Sequence, residues 1–320
     1  MKHVFIVNPI SGKADASGTL VPQIIQVATK RKLDYQIILT EYHRHAIELA
    51  KAAAESGEPV RLYACGGDGT LFEVVNGSFG FKNAEVGSIP LGSGNDFIRL
   101  FGTKEDFLNL EGQINGTAIE IDAIRCGDKI AVNQCSMGLD AEICAKQASF
   151  KKLPVMKAET AYYASLLYCF IGKMKSEFTI SIDDGEPEKL TVLFCLGANS
   201  RWYGSGFMGA PLAMPDDGLL DFIIVKKNMP RAKMLKLIEP YKKGQHLGWD
   251  ITKFVRGKKI NIKSDKPAAV NIDGETEYVT ESTFEIVEKS VKFVVPAGSD
   301  YFERVRNGII NPDTPIPAEE

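Results

Sequence analysis

The sequence lacks several features that would have classified it at once. Its six cysteines (Cys65, Cys126, Cys135, Cys144, Cys169, Cys195) include no CxxC pair. Metal and disulfide frameworks usually show close spacing, so reduced, mostly buried thiols of a cytosolic protein are expected. No apolar run approaches the ~20 residues of a spanning helix. The longest apolar-rich run, AYYASLLYCFIG at Ala161 to Gly172, is well short of it, so any membrane contact is expected to be peripheral. The opening MKHVFIVNPISG has one Lys and too short an apolar core for a secretory signal, and reads as a first strand. Charge is nearly balanced: 38 Lys plus Arg against 41 Asp plus Glu gives −3, which leaves no basic field for nucleic acid. Neither a GxxxxGK[ST] phosphate loop nor a GxGxxG fingerprint is present, so the usual ATPase and dinucleotide readings are weak. His43 and His45 stand apart from other ligand types and do not suggest zinc. No internal repeat recurs at a fixed period.

What remains is an ordinary globular balance, 44% apolar and 25% charged over 320 residues, long enough for two domains. Up to about residue 125 the chain alternates strand-like and helical stretches. HVFIVN reads as a strand, followed by a helix with Leu20, Val21, Ile24, Ile25, Val27 and Ala28 on one broad face. YQIILT, a helix over roughly residues 46–55, VRLYAC, a helix from about Thr70, EVGSIPLG and a loop before NDFIRLF complete this part. Such alternation predicts an open, mainly parallel sheet with helices on both faces. From about Ala118 the pattern changes to AIEIDAIRC, KIAVNQCSMG, EFTISIDDG, KLTVLFCLGA, LLDFIIV, KKINIKS, AAVNIDG, STFEIVE and VKFVVPA. These predict an antiparallel sandwich or barrel with helices inserted near 158–173 and 230–241, Pro230 being a first-turn proline. The expected division is 1–125 and 126–299, with a segment near 300–320 returning to the first domain. The tail NPDTPIPAEE, Pro-rich and acidic, is expected to be disordered or draped on the surface.

The stretch LYACGGDGTLFEVVNG has three glycines and an aspartate between a predicted strand and a predicted helix. A glycine-rich strand-to-helix turn lets backbone N–H groups approach phosphate oxygens, and the helix N-terminus adds positive partial charge. Asp68 would repel a phosphate directly, and makes sense as a group facing a phosphate-bound Mg²⁺ or ordering water around it. The same residues also make a tight turn with Asp68 near the helix cap, and the local sequence leaves both readings open. Two companion loops, VNPISGK after the first strand and PLGSGNDFIR after the fourth, lie where open α/β sheets bind ligands. Three such loops on one edge favour a nucleotide site over three coincidental turns.

In this order and at these separations NPISG, GGDGTLFEVVNG and PLGSGNDFIR resemble the diacylglycerol kinase catalytic-domain family, which includes bacterial lipid kinases and sphingosine and ceramide kinases. SMGLDAEI, PDDGLLD and VNIDGE extend the resemblance over roughly residues 3–296. It implies a Rossmann-like open sheet, as in NAD kinase and phosphofructokinase, followed by a β-sandwich, with ATP and Mg²⁺ bound between them. Carried over residue by residue, Asn8, Pro9, Ile10, Ser11, Gly12, Thr40, Gly66, Gly67, Asp68, Gly69, Thr70, Leu71, Phe72 and Ser93 would line the nucleotide site, with Asn95 and Asp96 beside it. A structural Mg²⁺ would use Asp217 and the main-chain oxygens of Met214 and Leu219, although PDDG is also strong turn chemistry by itself.

Glu275 would be the general base for the lipid hydroxyl. The triplet Asp-Gly-Glu occurs twice, at Asp184 to Glu186 and at Asp273 to Glu275, and both copies read locally as hairpin turns. The order of the family motifs selects Glu275 and leaves Glu186 as a solvated turn residue. Where the family often has Gly-His-Ala after the second strand, this chain has Arg44, His45 and Ala46; Arg44 could contact a phosphate or be a solvated helix-start residue. The basic stretches KKLPVMK and MPRAKMLKLIEPYKKG could lie on anionic lipid or simply pack on their own domain. The implied activity is transfer of the γ-phosphoryl group of ATP to the hydroxyl of diacylglycerol or a related lipid. A kinase for a soluble acceptor such as NAD, or a non-catalytic nucleotide-binding regulator, is the alternative. The expected partner is a lipid at a membrane surface, met transiently at its cytoplasmic face; the sequence allows a homodimer without specifying one.

Overall fold

A computed structural model describes residues 1–12, 17–150, 175–227 and 230–315. Lys13, the KKLPVMK stretch, the helix predicted near 158–173, Cys169, Met229 and residues 316–320 lie outside the described residues. The described residues divide into two compact units, one drawn from 1–123, 202–206 and 287–315, the other from 124–201 and 207–286.

The first unit opens with β1 (Lys2–Val7), α1 (Ser17–Arg31), β2 (Tyr35–Leu39), α2 (His45–Ala54), β3 (Val60–Gly66), α3 (Asp68–Ser78) and β4 (Ala84–Pro90). A 3-10 turn at Phe97–Leu100, α4 (Lys104–Leu108) and α5 (Leu110–Ile114) lead to β5 (Thr117–Cys126). β1 to β4 are parallel, in the order β4-β3-β1-β2. β1 and β3 are buried at almost every position, as strands covered on both faces must be. Phe5, Val7, Tyr63, Cys65 and Ile89 meet Leu20 and Ile24 of α1 in one core cluster. α1 buries Leu20, Ile24 and Ala28, a stripe of three residues spaced four apart, whereas Ile25 is turned out and 44% exposed. The broad face expected for this helix is therefore narrower, since each residue turns it by about 100°. α3 starts at Asp68, two residues before its expected start, so Asp68 itself lies in the first turn. α2 and α3 approach closely at Gly77, where a Cβ would run into the Ile47 carbonyl oxygen.

The second unit contains β6 (Lys129–Ala131), β7 (Gln134–Gly138), α6 (Leu139–Phe150), β8 (Ser176–Ile182), β9 (Glu188–Ala198), β10 (Leu220–Lys226), β11 (Thr252–Gly257), β12 (Lys259–Ile272) and β13 (Glu275–Val295). The last part of β13, from Val287, belongs to the first unit, where Phe293 pairs in parallel with Val86 of β4. Within the second unit pairing is antiparallel, in the order β11-β10-β9-β7-β12-β13, with β8 between β12 and β9. The four strand-like stretches expected after residue 258 are two long strands, β12 and β13, and their shared register shifts between Lys263 and Ala268. β11 had no counterpart among the expected strands. Its half-buried residues, at the edge of the order, lack the alternation that marks a strand with one wet face.

The helix expected over 230–241 is two short helices, Arg231–Leu235 and Ile238–Lys242, and Pro230 is the N-cap rather than a first-turn residue. Met234 and Leu237 pack into a core cluster with Leu196, Ile223 and Val225, so these apolar residues pack on their own unit, while Leu235 is 54% exposed among the lysines. The described thiols are free, and Cys65, Cys126, Cys135 and Cys195 are buried. In the tail, Asn311 Oδ1 accepts the Asp313 and Thr314 N–H groups in a local turn. Among the described residues no helix is long and apolar enough to cross a membrane.

Candidate phosphate-binding loops and candidate base

Parallel strands deliver the segments after β1, β3 and β4 to the same edge of the first unit's sheet, and specific contacts knit them together. Asn8 Nδ2 donates to Thr70 Oγ1 at 3.3 Å, joining the first loop to the start of α3. Gly12 has φ +96°, and a Cβ there would meet the Leu91 carbonyl oxygen at 2.8 Å. The Gly66 carbonyl accepts the Leu91 N–H at 2.8 Å, and a Cβ at Gly92 would lie 2.6 Å from Gly67 Cα. The glycines of the second and third loops thus allow two backbones to touch. Gly67 is the N-cap of α3, and the Asp68 and Gly69 N–H groups precede the helix's own hydrogen bonds. Gly69 is exposed. A helix N-terminus with an uncovered glycine in its first turn suits an anion.

Asp68, half-buried, is held by main-chain donors of the third loop. Its Oδ2 accepts the Asn95 N–H at 2.7 Å and its Oδ1 the Asp96 N–H at 2.9 Å. The carboxylate staples the third loop to the second. Burial, reinforced by the negative Asp96 nearby, pushes its pKa up to about 6 despite these bonds. Asp96 is 4% exposed and also raised by burial, an effect opposed by the Ser205 N–H at 2.7 Å from its Oδ2 and by Arg99 Nε at 3.0 Å from its Oδ1. Asn95 is held at φ +51° and donates through Nδ2 to the Gly92 carbonyl at 2.6 Å.

Of the other expected site residues, Ser11, Pro9 and Thr40 are half-buried, while Ile10, Gly12 and Ser93 are exposed. Leu71 and Phe72 are core residues at 3% and 4% exposure, so only their backbones could face a ligand. Thr40 follows β2, its N–H donating to the Val7 carbonyl at 2.9 Å, beside the first loop. Glu73 had escaped notice. From α3 its carboxylate accepts the Arg44 and Ala46 N–H groups, each at 3.1 Å, and caps α2. Its only sequence signal is an acid one turn beyond Asp-Gly-Thr. Arg44 is the N-cap of α2 at φ +69°, ψ 6°, which gives a physical reason for a glycine at this place in the family pattern.

In the second unit Glu275 opens β13 and pairs with Ile272 across a two-residue turn. Asp273 and Gly274 form that turn at φ +48° and +97°. The Asp273 carboxylate accepts the Val132 and Gln134 N–H groups, each at 2.7 Å, and the Asn133 N–H at 3.2 Å. Glu275, half-buried, therefore extends from a turn fastened to the 132–134 segment. Glu186 lies exposed in the loop between β8 and β9.

The expected metal residues surround another turn. Asp217 Oδ1 accepts the Leu219 N–H at 3.0 Å, Gly218 has φ +76°, and Met214 is 7% exposed. Nearby Asp221, 3% exposed, accepts Arg256 Nε at 2.9 Å on Oδ1, while its Oδ2 is buried without a hydrogen-bond partner. Burial first, and the Asp217 charge after it, raise Asp221 to about 6 against the pull of Arg256. Two neighbouring carboxylates with one buried oxygen unsatisfied fit a hard cation. Among the described residues no cluster of three or more His, Cys, Asp or Glu side chains could hold one. Such a cation would therefore depend on main-chain oxygens, as expected for Met214 and Leu219.

The diacylglycerol kinase catalytic domain model matches residues 2–126, and the YegS C-terminal NAD kinase beta sandwich-like domain model matches residues 133–295. A diacylglycerol kinase of Staphylococcus epidermidis is 29% identical over 314 residues, 97% of each chain. A diacylglycerol kinase of Bacillus subtilis is 27% identical over 301 residues, 92% of this chain and 97% of that one. Among solved structures, a diacylglycerol kinase of Bacillus anthracis superposes with a TM-score of 0.67 at 19% identity, covering 92% of this chain and 96% of that one. Yeast NADH kinase superposes at 0.51 with 12% identity, covering 100% and 90%. At these identities the structural likenesses speak for fold alone.

Proposed function

The chain belongs to the diacylglycerol kinase catalytic-domain family, and from that premise we propose that it is an ATP- and Mg²⁺-dependent lipid kinase, with diacylglycerol or a related lipid as acceptor. The observation that carries the phosphate side of this reading is the union of three loops at one sheet edge through Asn8–Thr70, Gly66–Leu91 and Asp68 with Asn95 and Asp96. The N–H groups at the start of α3 hold the donor phosphates, and the Asp68 staple keeps the third loop in place. Glu275 removes the proton from the lipid hydroxyl. As its oxygen bonds to the γ-phosphorus, the bond from that phosphorus to the β–γ bridging oxygen breaks and ADP leaves. Mg²⁺, when bound, neutralises the developing phosphate charge. Met214, Asp217 and Leu219, with the open oxygen of Asp221, would hold a second, structural Mg²⁺ in the other unit. Contact with the lipid surface is local and reversible, since the chain carries a net charge of −3.

The test is a kinase assay with Mg²⁺–ATP over a panel of diacylglycerol, phosphatidylglycerol and sphingoid-base micelles, with NAD as the soluble acceptor. Phosphorylation of one or more lipids and none of NAD is expected. Transfer to NAD alone, or ATP binding with no ADP formed on any acceptor, would overturn the reading.

A further inference from the structure

The three loops account for the phosphates of the donor and leave its base unassigned. Resting on that nucleotide reading, we propose that the aromatic pair of exposed Tyr42 and half-buried His45 is a stacking platform for the base and gives the site its preference for purine over pyrimidine nucleotides.

The pair stands at the correct edge. β2 runs parallel to β1 with Leu39 opposite Val7, so the segment from Thr40 leaves the sheet beside the Asn8–Gly12 loop. The two rings stack at 4.3 Å with 12° between their planes. Tyr42 is 53% exposed and so is not there to fill the core. It is nevertheless held. Its hydroxyl donates to Glu48 Oε2 at 2.9 Å, and the Glu41 N–H donates to His45 Nδ1 at 3.1 Å. That second bond uses Nδ1 as an acceptor and fixes the orientation of the imidazole ring. The backbone beneath is fixed by Glu73 through the Arg44 and Ala46 N–H groups. Glu73 belongs to α3, whose first turn contains Asp68 and Gly69, so one helix supports both the phosphate end and the platform. A solvent-facing aromatic ring fixed by hydrogen bonds has already lost the rotamer freedom that base binding would otherwise cost. Stacking on such a ring is stronger for the larger face of a purine.

Calorimetric titration of ADP, CDP and pyrophosphate, with Mg²⁺ and without lipid, separates this from the kinase reading. Wild-type protein should bind ADP about tenfold tighter than CDP, and Tyr42→Ala should weaken ADP about tenfold and erase the difference. Tyr42→Phe keeps the ring but loses its bond to Glu48, so it should keep the preference for ADP over CDP and bind ADP at most a few-fold more weakly than wild type. Pyrophosphate, which has no base, should bind all three proteins equally. ADP affinity unchanged by Tyr42→Ala, equal wild-type affinity for ADP and CDP, or pyrophosphate weakened together with ADP would overturn the platform and leave the phosphate site standing. Absence of ADP binding to the wild type would overturn both.

Discussion

The second unit contains two copies of Asp-Gly-Glu, and they fold differently. At Asp273 to Glu275 the left-handed residues are Asp273 and Gly274, so the turn closes on Ile272 and Glu275 and the glutamate is the first residue of a strand. At Asp184 to Glu186 the left-handed pair is displaced by one residue, to Asp183 and Asp184 at φ +47° and +60°. Gly185 closes that turn, its N–H donating to the Ile182 carbonyl at 2.8 Å. The first copy is thus not the two-residue Asp-Gly hairpin expected of it. Pro187 follows with no N–H to give a ladder, and pairing resumes only at Glu188 opposite Ile180. Each turn is anchored by an aspartate that accepts backbone N–H groups, Asp273 from Val132, Asn133 and Gln134, Asp183 from Lys258 and Lys259 at 2.7 and 2.8 Å. A triplet does not define a site. The position of the left-handed pair within it decides whether the glutamate is fixed on a strand or exposed in a loop.

The largest expected difference is catalytic. Glu275→Gln should lower lipid phosphorylation about 10²- to 10⁴-fold, the usual range for loss of a positioned base, while ADP binding measured by calorimetry stays the same. Glu186→Gln should leave turnover unaltered. A silent Glu275→Gln beside an inactive Glu186→Gln would reverse the assignment of the two hairpins.

Next come the anchors. Asp273→Ala strands three backbone donors that are partly shielded from water, and should cost about 2–3 kcal/mol in a urea unfolding series. Asp183→Ala strands two donors at an exposed turn, where water replaces the carboxylate, and should cost about 1 kcal/mol or less. Equal losses would mean that both turns are fastened alike. Gly274→Ala should cost about 1 kcal/mol from backbone strain alone, since no atom lies within 4 Å of the added Cβ and only φ +97° opposes it.

The contrast also shows what the sequence could not reveal. β1, β3 and β4 were legible because strands buried on both faces are near-continuous apolar runs. The glycine-rich loops were legible because close approach of two backbones, as between Gly67 and Gly92, excludes other residues. Illegible were the carboxylates whose partners are main-chain N–H groups far along the chain. Asp68 meets Asn95 and Asp96, Glu73 meets Arg44 and Ala46, and Asp273 meets residues 132–134. Every residue but proline has such a donor, so no side-chain pattern marks the partner. β12 and β13 were read as four pieces because polar stretches such as Lys263 to Lys266 interrupt the apolar alternation, where the ladder itself shifts register.

The smallest effect is expected at Asp184, the residue of the first copy that stands where the second copy has Gly274. Asp184→Gly removes a non-glycine residue from φ +60°, a conformation that aspartate tolerates better than most side chains. Against that small gain, the unfolded chain becomes more flexible. The bond from Lys259 Nζ at 2.7 Å is lost as well, but Asp184 is 83% exposed and a solvated pair contributes little. These opposing terms should leave stability within about 0.5 kcal/mol of wild type, with turnover unchanged. A larger loss would show that the first turn depends on Asp184 as the second depends on Gly274, and the one-residue displacement would then not be what separates the two hairpins.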